Sequence, residues 1–84
     1  MITLKKPIKH GEEIITELEL REPTAKEIKT IGLPLNVRDG EVRTAIVHQY
    51  VCALAALPPS VVDQLSAKDF IVAMEVVMGF FGES

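Results

Sequence analysis

His48 and Cys52 are the two side chains whose type and spacing come nearest to doing chemistry. They stand four residues apart, so a helix places them on adjacent turns of the same side. An imidazole beside a thiol is the start of a nucleophilic pair or half of a metal site. A zinc site needs at least one more good ligand. The other histidine, His10, falls on a turn, and Cys52 is the single cysteine of the chain. An internal disulfide and a multi-cysteine metal cluster are therefore excluded, and the thiol usage suits a reducing cytosol. The plainer reading carries more weight: Cys52 is a small core residue and His48 is partly exposed near the polar half of its helix. The sequence contains no phosphate-binding glycine loop and no nucleophile elbow.

Glu12, Glu13, Glu17, Glu19 and Glu22 form the one concentration of carboxylates. Acid–base work by a carboxylate pair needs a pocket and a perturbed pKa, and nothing in this spacing calls for either. They read as the solvated face of a strand. Arg21 stands among them, and its expected role is an ion pair with a carboxylate of the hairpin or of the second helix.

The elements that carry these residues follow from periodicity. Ile2, Leu4, Lys6 and Ile8 fall on one side of a first strand, and Ile14, Thr16, Leu18 and Leu20 on one side of a second. Lys9 to Glu13 reads as the turn, with Gly11 available for a positive φ. Matching the two apolar faces predicts Ile8 opposite Ile14, Leu4 opposite Leu18, Ile2 opposite Leu20 and Lys5 opposite Glu17. Pro7 is tolerated because both strands of a two-stranded hairpin are edges. A lone hairpin is marginal in water, so its apolar face must rest on something.

From Pro23 onward the apolar spacing is helical. Thr24 with Glu27 three residues on is a capping box, and Gly32 with Pro34 ends the helix that it starts, over Ala25 to Ile31. An irregular connector follows, pinned to the core by Leu35 and Val37 and closed by Asp39-Gly40. Glu41 to Leu57 is the longest helical candidate, with Val42, Ile46, Tyr50, Ala53, Leu54 and Leu57 in one stripe. Its apolar second half makes it the expected centre of the core. Pro58-Pro59 ends it, and Ser60 is placed to cap a short turn over Val61 to Gln64. Ser66 then caps a last helix from Ala67 to about Phe81, with Asp69 at its third position and a Leu65–Phe70 staple. Phe70, Met74, Val77, Met78 and Phe81 are its expected inner face.

The fold class that results is α+β: a β-hairpin over residues 1–22, packed on three to four helices in residues 23–84, as a single domain. The 84 residues are 48% hydrophobic with a mean hydropathy of +0.24. A domain this small cannot hide that much apolar surface. The excess is greatest on the last helix, where Ile71, Val72, Ala73, Val76 and Phe80 spread apolar surface round most of what the core face leaves over. One helix cannot turn every side inward, so Ile71, Val72, Val76 and Phe80, with Phe81 at the helix end, are the expected partner-binding residues. Self-association through the same helix is a secondary expectation. The net charge of -3 and the lack of a basic block argue against nucleic acid. The start, Met1 to Lys6, does not follow the order of a signal peptide, and the run from Phe70 to Phe81 is far short of the ~20 residues that span a bilayer.

Two blocks carry a resemblance. Leu18-Glu19-Leu20-Arg21-Glu22-Pro23-Thr24-Ala25 follows a Lys-Pro-containing strand and a glycine turn. Ala55-Ala56-Leu57-Pro58-Pro59-Ser60-Val61-Val62-Asp63-Gln64-Leu65 runs into Ser66-Ala67-Lys68-Asp69-Phe70. In this order they resemble the small tail assembly chaperones of contractile-tailed, Mu-like bacteriophages, over most of the chain. The resemblance implies a non-enzymatic protein with no cofactor, made in the bacterial host cytoplasm. Such a protein binds the long helical tape measure protein, helps tail tube subunits assemble round it, and is not kept in the mature virion. Many members also exist in a longer, frameshifted form. A structural tail or baseplate component and a small regulatory binding module are the alternative readings.

Overall fold

Residues 1–36 and 38–82 are described by the computed structural model. Strand β1 (Ile2–His10) pairs antiparallel with β2 (Glu13–Leu18). Four helices follow: α1 (Ala25–Ile31), α2 (Thr44–Ala55), α3 (Pro59–Val62) and α4 (Ala67–Phe80). The class is α+β, as the periodicity predicts.

The hairpin register differs from the one obtained by matching apolar faces. Its loop is two residues, Gly11-Glu12, closed by the pair His10–Glu13. Gly11 has φ +66° and Glu12 keeps a negative φ, the pattern of a tight turn with glycine first. That turn sets Ile8 against Ile15 and Lys9 against Ile14. At the open end Ile2 faces Leu18 and Thr3 faces Glu17. The ladder slips between Thr3 and Ile8, where Pro7 contributes no amide. Ile2, Leu4, Ile8 and Leu18 are buried, Ile15 is half-buried, and Ile14 lies 61% exposed. The turn and Pro7 thus outweigh the parity of the apolar residues. β2 also ends at Leu18, so Leu20 lies beyond the strand.

Helix α1 has the predicted bounds. The Thr24 hydroxyl accepts from the Glu27 amide and the Glu27 carboxylate accepts from the Thr24 amide, completing the box. Gly32 ends it at φ +98°. The connector is more ordered than its composition implies. Leu35 and Val42 form an antiparallel bridge, and the amides of Asn36 and Arg43 donate to the carbonyls of Glu41 and Pro34. This pairing holds residues 41–42 extended and delays α2 to Thr44. Val42 is therefore 40% exposed rather than part of the core stripe. Val37 lies outside the described residues.

Helix α2 packs against α1, α3 and α4 and buries Val47, Tyr50, Val51 and Leu54. It is the centre of the core, through a stripe turned toward Val47 and Val51. Its end is an αL residue, Ala56, with the Leu57 amide returning to the Cys52 carbonyl. Pro58, not Ser60, is the N-cap of α3, and Pro59 takes the first helical position, which suits a residue with no amide to leave unpaired. Val61 and Val62 enter the core. Ser66 caps α4 by accepting from the Asp69 amide at 3.2 Å. The inner face of α4 is Asp69, Ala73, Val77 and Met78. This is rotated from the predicted face: Ala73, expected outside it, is fully buried, and Phe70 and Met74 are only half-buried. The rotation has a polar cause, the burial of Asp69, described next.

Candidate binding surface and polar sites

Asp69 is the one buried charged residue among those described, 2% exposed. A buried carboxylate needs donors for its oxygens. The Lys5 amide donates to both oxygens at 3.0 Å, and the Lys6 amide to one at 3.1 Å. These are the amides that the ladder slip and Pro7 leave without a partner in β2. The Lys5 amide, above all, holds the carboxyl below the usual range against the opposing effect of burial, and the Lys6 amide and Ser66 hydroxyl add to it. Sequence reasoning placed Asp69 only as a helix-start residue. The signal that could have located its role is Pro7: a proline inside a strand leaves neighbouring amides in need of an acceptor.

Beyond Asp69, Gln64 completes the same seam. Its side-chain amide accepts from the Lys9 N–H at 2.8 Å and donates to the Lys9 carbonyl at 2.7 Å. The outer edge of β1 is thus bound by two side chains from the α3–α4 region.

The His48–Cys52 pair does form, and it gains a third member. His48 Nε2 lies 2.8 Å from an Asp63 carboxylate oxygen, and Nδ1 lies 3.8 Å from the Cys52 sulfur. Carboxylate, imidazole and thiol are in the order of a nucleophilic relay. The thiol, however, is pushed up by burial and further by the nearby Asp63 carboxylate. An activated cysteine needs a lowered pKa, so this arrangement works against a thiolate. Its effect is to tie α2 to the residue that follows α3. His48, Asp63, Val62, Leu65 and Phe70 line an open cleft of about 590 Å³. The two staple residues, Leu65 and Phe70, both face it. Among the described residues, no three His, Cys, Asp or Glu side chains converge as metal ligands; His10 sits at the far end of the hairpin, in its closing pair.

Glu12, Glu13, Glu17, Glu19 and Glu22 are all exposed. Arg21 pairs with Glu27 of α1, at 2.7 and 2.5 Å, rather than with the hairpin or α2. The capping box has already turned Glu27 back toward the strand end, which puts its carboxylate within reach. Bonds from Arg21 and then from the Thr24 amide lower Glu27 from its ordinary 4.5 to about 2.

The five apolar residues singled out on the last helix divide into two groups. Ile71, Val72 and Phe80 are 49%, 40% and 36% exposed. Val76 and Phe81 are half-buried against the core, and the Phe81 ring meets that of Tyr50 edge-on with centroids 5.2 Å apart. Ile71, Val72, Glu75 and Gly79 form the outward side of α4, opposite Ala73 and Val77, whereas Phe80 stands seven residues after Ala73, on its line, and is exposed at the end of the helix. No helix among the described residues is long and apolar enough to cross a membrane.

A family model described as "Phage tail assembly chaperone proteins, E, or 41 or 14" matches residues 1–82. Searches of curated proteins and of solved structures found no match to the chain.

Proposed function

Since the chain belongs to the phage tail assembly chaperone family, we propose that it acts without catalysis, by binding apolar helical segments of the phage tape measure protein on the outward side of α4. The observation that carries this reading is that Ile71, Val72 and Phe80 stay exposed on a helix whose Ala73 and Val77 are fully buried in the core. Single exposed apolar residues are ordinary on a protein surface. Ile71 and Val72 on adjoining positions of the outward side, with half-buried Val76 one turn beyond Val72 and Phe80 at the helix end, present apolar surface broad enough for another amphipathic helix to cover.

In this reading the protein works in the bacterial host cytoplasm, keeps the tape measure protein soluble while tube subunits assemble, and leaves before the virion matures. Burial and the Asp63 carboxylate raise the Cys52 thiol, which counts against a cysteine nucleophile.

Co-expression with the tape measure protein of the same phage tests the proposal. The expected result is a soluble complex that Val72→Glu weakens without lowering the melting temperature of the free protein. No complex and no gain in tape measure solubility would overturn it. Mass spectrometry of mature tails separates a chaperone from a structural component, which would remain in the particle.

A further inference from the structure

The two edges of the hairpin are treated unequally. A sheet edge is a row of unpaired backbone groups that invites another strand, and proteins normally blunt it. The outer edge of β1 is blunted three ways: Pro7 has no N–H, Asp69 takes the amides of Lys5 and Lys6, and Gln64 takes both backbone groups of Lys9. The outer edge of β2 has no such cover. Among the described residues, no backbone or side-chain group beyond β1 bonds to the main chain of Glu13 to Leu18.

The register says which groups are free. The closing pair of a two-residue loop is hydrogen-bonded, so the next pair, Lys9–Ile14, turns its N–H and C=O groups outward. Lys9 confirms this, because both of its groups meet Gln64. Ile14 therefore presents its N–H and C=O on the open side, and by the same alternation so does Thr16. Ile14 is also the most exposed aliphatic side chain after Met1.

We propose that the outer edge of β2 is a strand-addition site for an extended segment of a partner protein in which apolar residues alternate with lysine or arginine. The charge pattern selects this occupant. β2 carries Glu13 and Glu17 and no basic residue, and Glu12 and Glu19 flank it. The strand it already accepts, β1, carries Lys5, Lys6 and Lys9 and no acidic residue. An incoming strand on the second side meets the same acidic ladder, and cross-strand pairs reward opposite charge. A second copy of the chain fits poorly: its β1 is held on both sides, and its β2 would set glutamates against glutamates.

The site lies on a different element from α4, so its test is independent of tape measure binding. The full-length protein is titrated with a labelled peptide of alternating valine and lysine, and with two controls. One control replaces lysine by glutamate; the other is N-methylated at alternate amides. The expected result is saturable, salt-sensitive binding of the lysine peptide alone, with hydrogen-exchange protection appearing at the Ile14 and Thr16 amides. Ile14→Pro removes an outward N–H that the β1 ladder does not use and should weaken binding by about tenfold. Glu13→Lys with Glu17→Lys should exchange the preference to the glutamate peptide. No binding of the lysine peptide, equal binding of all three peptides, or protection confined to other segments would overturn the proposal. So would Ile14 protection in the protein alone that rises with its concentration, the mark of a second copy. If Ile14→Pro fails to fold, the N-methylated peptide still decides.

Discussion

The main-chain N–H of Lys5 donates to both carboxylate oxygens of Asp69, each at 3.0 Å. This joins the stretch of β1 where the ladder slips, between Thr3 and Ile8, to the first turn of α4, 64 residues away in sequence. The contact makes the hairpin's seat on the helices dependent on one ionised side chain.

Acid should therefore loosen that seat. The folded-state pKa of Asp69 lies below its ordinary 3.8, held there chiefly by the Lys5 amide. A carboxyl depressed on folding stabilises the fold above its unfolded pKa, and the contribution is lost as pH falls through the folded value. Urea midpoints should be flat from pH 7 to about 5 and fall below that. Asp69→Asn should be less stable at pH 7, because the amide group sets a donor against donors, and its acid limb should be shallower. An acid limb identical to that of the unmodified protein would rule out the clasp.

A second acid-sensitive contact sits at the strand-to-helix switch. Glu27 is lowered to about 2, first by Arg21 and next by the Thr24 amide, so its contribution is complete above about 4.5 and drains away toward about 2. The pair is exposed at Arg21, where salt screens it. Glu27→Gln should remove part of the acid limb, and the difference from the unmodified protein should shrink at high salt. Thr24→Ala removes the other half of the box and should cost about 1 kcal/mol at any pH near neutrality, read as a lower urea midpoint.

How far these features were legible depends on the range of the signal. Thr24 with Glu27, Ser66 with Asp69, and the glycine after Ile31 are local punctuation, and α1 and α4 begin where that punctuation puts them. The hairpin register was not legible from apolar parity, because the Gly11-Glu12 turn and Pro7 together shift the pairing and leave Ile14 outside. The role of Asp69 was less legible still. Its partners are backbone amides far off in sequence, and a main-chain donor leaves no mark in a side-chain pattern. Asp63 joined His48 for a similar reason: the two lie on different elements, and spacing reveals only pairs within one helix. The exposed surplus on α4 was legible because it is an arithmetic of area, and too many apolar residues on one short helix must leave some outside.

Tyr50 tests how α2 holds the end of α1. Its ring is fully buried and its hydroxyl donates to the Gly32 carbonyl. Tyr50→Phe keeps the ring and its edge-on contact with Phe81 while deleting that bond. The expected loss is about 1 kcal/mol, measured by chemical denaturation. A loss several times larger would mean that the core repacks rather than losing one bond.

Cys52 should be a slow nucleophile. Burial and the Asp63 carboxylate hold its thiol above the ordinary 9.0, so the thiolate fraction at pH 7 falls below that of a free cysteine. Alkylation by iodoacetamide should run slower than with a model thiol and speed up only at high pH. A rate faster than the model thiol would revive the nucleophilic reading of Asp63–His48–Cys52.

Gly79 separates stability from binding on α4. It lies in the last turn of the helix, on the exposed side in line with Val72 and next to Phe80, and a Cβ built there meets nothing within 4 Å. Its backbone is not in the left-handed region, so alanine is accommodated without strain. Gly79→Ala should raise stability by up to about 1 kcal/mol through helix propensity. If a partner helix covers Val72 and Phe80, it passes close to the bare backbone at Gly79, and the added methyl group intrudes on it. The expected outcome is a higher melting temperature together with weaker capture of the tape measure protein. A variant more stable and equally competent would move the contact surface away from this turn, toward Ile71 and the start of the helix.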